Sequence, residues 1–180
     1  YDYDEEADYW LVEVSGLPFG LMGDMMREGN PWRGMLYGTG PRFRGADPSP
    51  IWHLWDLFGI ANSTMEGYWT DNPPVRVLEP CSVDVKATSY VRHGDAALIA
   101  VAGWNPYGRA CKLSIDWVRL GISPTRATLR APDMGSHLGQ AEADLPLTPP
   151  EYTPSLYVKI GGGALLLLHQ LEQESKGDMV

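Results

Sequence analysis

The clearest pattern in the chain is a run of alternating residues at 83–92, followed by a run that is apolar throughout. In the first run, small apolar residues and serine occupy every second position, and the positions between them carry Asp84, Lys86, Thr88, Tyr90 and Arg92. A period of two places these sets on opposite faces of a β-strand, which predicts a half-buried antiparallel strand. Residues 96–102 are all apolar, as expected of a central strand covered on both faces.

Shorter alternations continue towards the C-terminus. Residues 113–117 and 156–160 alternate apolar and polar positions, and residues 126–131 suit another strand. Three glycines at 161–163 precede the apolar run 164–168, which predicts a terminal hairpin that pairs the last two strands. Five to seven short strands separated by turns predict an antiparallel β-sandwich for residues 75–180.

Residues 1–74 show a different pattern. Residues 33–38 and 65–69 are typical of short strands. Between them, residues 51, 54, 55 and 58 are apolar at helical spacing, with Asp47 or Ser49 as the cap and Gly59 as the end of the helix. A strand, a helix and a strand in this order predict a parallel pair with a right-handed crossover, as in the last strand–helix units of a (β/α)8 barrel.

Composition changes near the Pro-rich segment 70–74, which predicts a domain boundary there. Residues 1–74 hold 12 acidic and 4 basic residues and five of the seven tryptophans, whereas residues 75–180 hold 11 acidic and 10 basic residues. Acidic and aromatic residues with few lysines are typical of carbohydrate clefts, where rings stack on sugar faces and carboxylates bond hydroxyls. An acidic surface above an aromatic core gives the same counts, so both interpretations stay open.

Residues that follow the two predicted parallel strands are candidates for one binding site, because ligands bind beyond the carboxyl ends of such strands. The first strand ends near Tyr37 and Arg42 follows it, and Tyr68 and Trp69 end the second strand. We predict that these four residues bind substrate, the rings as a sugar platform and the guanidinium as a fixed cation. In the alternative, Trp69 packs between the two parts of the chain and Arg42 pairs with the acidic surface.

Three carboxylates are weak candidates for acid–base catalysis. Glu13 lies among apolar residues, which would raise its pKa, and Glu66 and Asp71 lie at the end of the second predicted strand. Each also has a structural interpretation: a residue on the wet face of a helix for Glu13, and a turn cap for Asp71. Glycoside hydrolysis usually needs two carboxyl groups about 5.5 Å apart for retention and farther apart for inversion, and sequence spacing assigns no such pair.

Other kinds of site have no support in the sequence. The four histidines share no metal-ligand spacing and the chain has no CxxC motif, so we predict no metal. No glycine-rich loop has a nucleotide-binding pattern, so we predict no cofactor. The net charge of −9 argues against duplex nucleic acid. No apolar run approaches the roughly 18 residues that are needed to cross a membrane.

The two cysteines, Cys81 and Cys111, both flank predicted strands. They form a disulfide if the protein is exported, but two reduced, half-buried thiols are the favoured interpretation from the sequence alone.

Segments 10–25, 32–38 with Arg42, 51–60 and 67–69 together resemble the end of a large family of glycoside-hydrolase-like proteins related to glycoside hydrolase family 123. The resemblance implies an N-terminal β-domain, a β/α barrel and a C-terminal β-sandwich. It also implies catalytic carboxylates on earlier barrel strands, which this chain lacks. Residues 75–180 are similar in a generic way to the β-domain that follows the barrel in α-galactosidase-like and amylase-like enzymes.

These observations predict an α/β plus all-β chain: a barrel fragment at 1–74 and an antiparallel β-sandwich at 75–180. The barrel needs about 250 residues and the chain starts at Tyr1, so we expect a fragment that is inactive alone. Its expected partners are a carbohydrate and the missing N-terminal barrel portion, with no nucleic acid or membrane. The resemblance implies an extracellular or periplasmic parent protein. The alternative is a non-catalytic carbohydrate-binding or structural β-sandwich module.

Overall fold

The computed structural model describes residues 32–38, 47–104, 107–159 and 162–171. The helices among them are α1 (Arg33–Leu36), α2 (Ser49–Phe58) and α3 (Trp117–Leu120). The strands are β1 (Thr64–Glu66), β2 (Val75–Val77), β3 (Val85–Arg92), β4 (Ala96–Gly103), β5 (Arg109–Ile115), β6 (Ala127–Ala131), β7 (Ala143–Leu145), β8 (Ser155–Val158) and β9 (Gly163–Gln170). Short 3-10 turns lie at Ile60–Asn62, Cys81–Val83 and Pro124–Arg126.

The strands form two antiparallel sheets. The larger sheet has six strands in the order β1-β3-β4-β9-β6-β7, and the smaller has three in the order β2-β5-β8. Strands β3 and β4 follow each other in the chain and form a hairpin, which is paired from Val85 opposite Gly103 to Arg92 opposite Ala96. The antiparallel, sandwich-like arrangement predicted for the later part of the chain is therefore confirmed.

Strand β4 lies at the centre of the molecule, as its unbroken apolar sequence predicts. All eight of its residues are buried, and it pairs with β3 on one side and β9 on the other. Its odd-numbered residues, such as Ile99 and Val101, join the core between the two sheets. Its even-numbered residues, such as Leu98 and Ala100, join a second core on the opposite face of the larger sheet.

Helices α1 and α2 cover that opposite face, so the described residues form three layers: helices, a six-stranded sheet and a three-stranded sheet. Met35, Leu36 and Ile51 are fully buried there. Just before α2, Asp47 accepts a hydrogen bond from the backbone N–H of Ser49, the first helical residue, at 2.9 Å. Gly59 ends the helix in the left-handed conformation with φ 71°. The predicted helix and its end at Gly59 are confirmed. The prediction of Asp47 or Ser49 as the cap is wrong, because Pro48 occupies the cap position and no side chain caps the helix there.

The polar face of β3 holds the two helices in place. The last carbonyl groups of a helix have no partner within the helix, and here Tyr90 Oη donates to the Met35 carbonyl at 2.5 Å and Thr88 Oγ1 to the Leu36 carbonyl at 2.9 Å. Arg92 donates in the same way to the Phe58 carbonyl at the end of α2, at 2.7 Å. The expectation of a half-buried β3 is wrong, because this face binds helices rather than water.

Residues 33–38 do not form the predicted barrel strand. Residues 33–36 are helix α1, which buries Trp32, Met35 and Leu36 at helical spacing. A short apolar run does not by itself distinguish a strand from a buried helical turn. The second predicted strand is also shorter, since β1 covers Thr64–Glu66 alone and pairs antiparallel with β3. The predicted parallel pair is therefore wrong for these residues.

The predicted terminal hairpin is also wrong. Strand β8 pairs with β5 in the smaller sheet, whereas β9 pairs with β4 and β6 in the larger one. The glycine-rich connection therefore crosses from one sheet to the other. The predicted domain boundary at residue 74 stays a prediction, although β1 before it pairs with β3 after it.

Cys81 and Cys111 form a disulfide with a Cα–Cα distance of 5.7 Å. The favoured interpretation of two reduced thiols is wrong, because the 3-10 turn after β2 brings Cys81 beside β5 and both side chains are buried.

Candidate functional site

Three of the predicted substrate-binding residues, Tyr37, Tyr68 and Trp69, lie together as one aromatic cluster. The rings of Tyr37 and Trp69 stack at a centroid distance of 6.3 Å and an interplanar angle of 17°. The ring of Tyr68 stands edge-on to both, with centroids 5.2 Å from Trp69 and 6.3 Å from Tyr37. Residues more than thirty positions apart in sequence therefore share one surface.

Two local features bring these rings together. Tyr37 follows directly after α1, whose burial on the sheet fixes its position. The chain that leaves β1 turns at Gly67, where an added Cβ would lie 2.5 Å from Cζ2 of Trp69. Only glycine lets the indole lie this close to the backbone. The backbone N–H of Tyr68 then donates to Thr88 Oγ1 at 3.4 Å, which ties the turn to β3.

The cluster presents one ring to solvent. Trp69 is 38% exposed, whereas Tyr37 beneath it is 8% exposed. An indole held in this way by two further rings is a rigid, flat apolar surface, and a rigid aromatic ring loses little conformational entropy when a ligand binds. This arrangement suits stacking on the apolar face of a sugar ring.

A small cavity of about 180 Å³ lies beside the cluster, between β2 and β3. Tyr68 and Lys86 are among its lining residues, and the Lys86 ammonium lies 5.9 Å from the centre of the Tyr68 ring. Lys86 donates to the Ser82 carbonyl at 2.6 Å, while the buried Ser82 hydroxyl has no hydrogen-bond partner in the described part of the chain. The cavity therefore adds one unused hydroxyl to the aromatic surface, and two cationic residues, Lys86 and Arg76, line it.

Glu66, a catalytic candidate, is held by a cation. Its carboxylate lies 2.9 Å from Arg119 Nη2, and the same guanidinium donates to the Asn72 carbonyl. Arg119 belongs to α3, which Asp116 caps by accepting from the Arg119 N–H at 3.0 Å. Arg119 therefore connects the two ends of the loop that carries Tyr68 and Trp69. In this ion pair Glu66 has a structural role.

The other candidates fall in different places. Asp71 is exposed on the loop after Trp69 and makes no hydrogen bond or ion pair with described residues. Glu13 and Arg42 lie outside the described residues, so their predicted roles stay predictions.

Arg119 and Lys86 contribute to this region and were not predicted from the sequence. Arg119 is 53 positions from Glu66, and no local pattern links residues so far apart. Lys86 lies on the face of β3 that alternation assigns to solvent. The helices pack against this side of the sheet, which the alternation in the sequence does not reveal.

Among the residues that the structure describes, no group of three or more histidine, cysteine, aspartate or glutamate side chains could hold a metal ion. No helix in that part of the chain is both long enough and apolar enough to cross a bilayer.

Comparison with known families identifies two regions. The glycoside hydrolase 123 C-terminal domain matches residues 47–169, and the glycoside hydrolase 123 TIM-barrel domain matches residues 1–44. No curated protein and no solved structure matches the chain. Because the first match spans about two thirds of the chain, the protein belongs to the glycoside hydrolase 123 family and carries its C-terminal domain.

Proposed function

We propose that the protein acts on a carbohydrate as part of a glycoside-hydrolase-like enzyme, and that the Tyr37–Tyr68–Trp69 cluster binds the sugar. Membership of the family supports the substrate class. The stacked pair of Tyr37 and half-exposed Trp69 is the observation that carries the proposed site. We also propose that Arg42 contributes to this site as a fixed cation.

The proposal assigns binding rather than bond cleavage to this chain. Glu66 is held in an ion pair with Arg119, which gives its carboxylate a structural contact. The 44 residues matched by the barrel family are few beside the roughly 250 of a complete barrel. The main catalytic carboxylates of the enzyme are therefore proposed to lie outside this chain.

A binding measurement tests the aromatic site. The purified chain is screened on an array of neutral glycans, and the Kd of the best ligand is measured by titration calorimetry. We expect Trp69→Ala to weaken binding roughly tenfold or more, because removing a central ring typically costs over 1 kcal/mol. Trp52→Ala is the matched control, since Trp52 is 45% exposed on α2 outside the cluster. Equal losses in both variants would contradict the proposal.

An activity measurement tests the absence of catalysis. We expect the purified chain to release no product from a panel of aryl glycosides. Turnover that disappears in Glu66→Gln or Asp71→Asn, but not in Asp56→Asn on α2, would show that this chain carries a catalytic acid and would overturn the assignment.

The second candidate is a carbohydrate-binding or structural module that works without the barrel. The antiparallel sandwich, which forms most of the described residues, favours it. Removing residues 1–74 distinguishes the two candidates, provided that circular dichroism shows the shortened chain to be folded. Neutral-glycan binding that survives the deletion supports the module, and binding that is lost from a folded shortened chain supports the aromatic site.

A further inference from the structure

We infer that the outer face of the three-stranded sheet is a second carbohydrate-binding surface, which takes an acidic, carboxylate-bearing oligosaccharide. This inference goes beyond the proposed function, because the surface lies on β2, β5 and β8 and shares none of its residues with the aromatic cluster.

Alternation along the three strands defines this outer face. Val77, Leu113 and Val158 point into the core between the sheets, so the residues between such positions point outward. The outward residues of the three strands are Arg76, Ala110, Lys112, Ser114, Ser155 and Tyr157. The face therefore has two cations, one aromatic ring, small or hydroxyl side chains and no acid.

Neither of the two cations has an ion-pair partner among the described residues. Arg76 and Lys112 are exposed, and neither side chain makes a hydrogen bond or an ion pair with described residues. The other exposed or half-exposed arginines on nearby strands are neutralised, as Arg109 is by Asp84 at 3.5 Å. A net positive patch on a chain of net charge −9 favours an anionic ligand through charge complementarity.

Tyr157 supplies an open ring on the same face. It is 66% exposed, and it leans across the small Ala110, its partner on β5, towards Gly108. A Cβ added at Gly108 would lie 2.3 Å from the Tyr157 hydroxyl and 2.9 Å from Cζ. The glycine therefore lets the outer part of the ring rest close to the backbone, while much of the side chain stays open for stacking.

Strand register places the backbone positions of the three residues on one diagonal, and the Tyr157 ring extends it beyond Ala110 towards Gly108. Arg76 is opposite Ser114, Lys112 is opposite Ser155, and Tyr157 is opposite Ala110. Each step along this line joins diagonal neighbours, which lie about 7–8 Å apart on a sheet. A line of roughly 15 Å fits an extended chain of a few sugar rings better than a single small anion. The planar Arg76 guanidinium suits bidentate contact with a carboxylate.

The test measures binding of a purified oligogalacturonate and of its carboxyl-reduced, uncharged counterpart to the full chain by titration calorimetry. We expect the charged oligosaccharide to bind at least tenfold more tightly than the neutral one. The double variant Arg76→Glu/Lys112→Glu should lose at least tenfold in affinity, and Tyr157→Ala should lose several-fold. Arg76→Gln/Lys112→Gln removes both charges without reversing them and should lose less affinity. This variant replaces the double glutamate variant if charge reversal impairs folding.

Two control variants keep this test separate from the aromatic site. Arg130→Glu reverses one charge on β6, outside the proposed surface, and Trp69→Ala removes the ring of the proposed sugar platform; both should leave oligogalacturonate affinity within twofold. Equal binding of the charged and neutral oligosaccharides would overturn the inference. Unchanged affinity in the double variant would also overturn the inference. A dimer that forms through Tyr157, and that the oligosaccharide does not dissociate, would overturn it as well. If Trp69→Ala does not weaken the binding of neutral glycans, the proposed aromatic site is wrong, but the expected binding of oligogalacturonate to the three-stranded sheet is the same.

Discussion

Tyr90 and Thr88 attach the helix layer to the sheet through single hydroxyl groups. Both side chains are buried, and each donates to a carbonyl at the end of α1. Burial disfavours the charged phenolate, so the pKa of Tyr90 lies far above its usual range, although a backbone hydrogen bond from Gly38 opposes the shift. The hydroxyl is therefore held neutral as a hydrogen-bond donor.

Tyr90→Phe should destabilise the protein by about 1–3 kcal/mol at pH 7, because the Met35 carbonyl loses its buried donor. In the unfolded chain Tyr90 ionises near pH 10, whereas in the folded chain it stays protonated. Its raised pKa therefore contributes stability below pH 10 that is lost as the pH rises further. We expect the free energy of unfolding in urea to differ less between wild type and Tyr90→Phe as the pH rises from 9 to about 11. A difference in this free energy that stays constant with pH would contradict the prediction.

The aromatic cluster is a second residue-scale feature, and the sequence predicted its members but not the reason for their contact. Tyr37 and Trp69 were placed together as residues after two parallel strands. In the structure, a buried helical turn carries Tyr37 and an antiparallel edge strand leads to Trp69. The contact depends on burial of α1 against β3, which no local pattern reports.

Helix α2 shows what local sequence determines at the scale of one element. Its apolar spacing and the left-handed Gly59 act within a few residues, so both could be predicted from the sequence. Asp47 also acts locally, by accepting a hydrogen bond from Ser49, although Pro48 is the residue at the cap position. Hydrogen bonds from the backbone and side chain of Ser49 lower the pKa of Asp47. The carboxylate form is therefore the one that stabilises the start of the helix.

Asp47→Ala should lower the melting temperature at pH 7, because the first turn of α2 loses its acceptor. The lowered pKa of Asp47 contributes stability that is present above the unfolded pKa near 3.9 and is lost as the pH falls through the folded value. The melting temperatures of wild type and Asp47→Ala should therefore converge as the pH falls through the lowered pKa of Asp47. Ser136→Ala, at an exposed turn position, serves as the control and should match wild type throughout.

The disulfide belongs to the scale of the whole molecule. Between Cys81 and Cys111 the chain runs through β3 and β4 of the larger sheet and returns to β5 of the smaller one. The bond therefore closes a loop that includes strands of both sheets. Disulfides form and persist in oxidising environments.

The double variant Cys81→Ala/Cys111→Ala should be about 3.5 kcal/mol less stable than the oxidised protein, since a loop of 30 residues is freed in the unfolded state. Urea unfolding with and without a reductant measures this difference. The reductant should lower the midpoint of wild type towards that of the double variant and leave the variant itself unchanged. Equal midpoints for oxidised wild type and the variant would contradict the prediction.

The sequence by itself determined the features that depend on neighbouring residues. Alternation gave the antiparallel strands, the unbroken apolar run 96–102 gave the central strand, and spacing with capping gave α2. The motifs at 32–38, 51–60 and 67–69 gave the family, which the comparison with known families confirms.

Only the tertiary structure decided which helices and strands pack against each other. It made residues 33–36 a buried helix, turned the polar face of β3 inward, assigned β8 and β9 to different sheets and joined the two cysteines. Each outcome depends on contacts between distant parts of the chain, where the free energy of burial and of satisfied carbonyl groups outweighs local preference. Such contacts leave no periodic trace in the sequence.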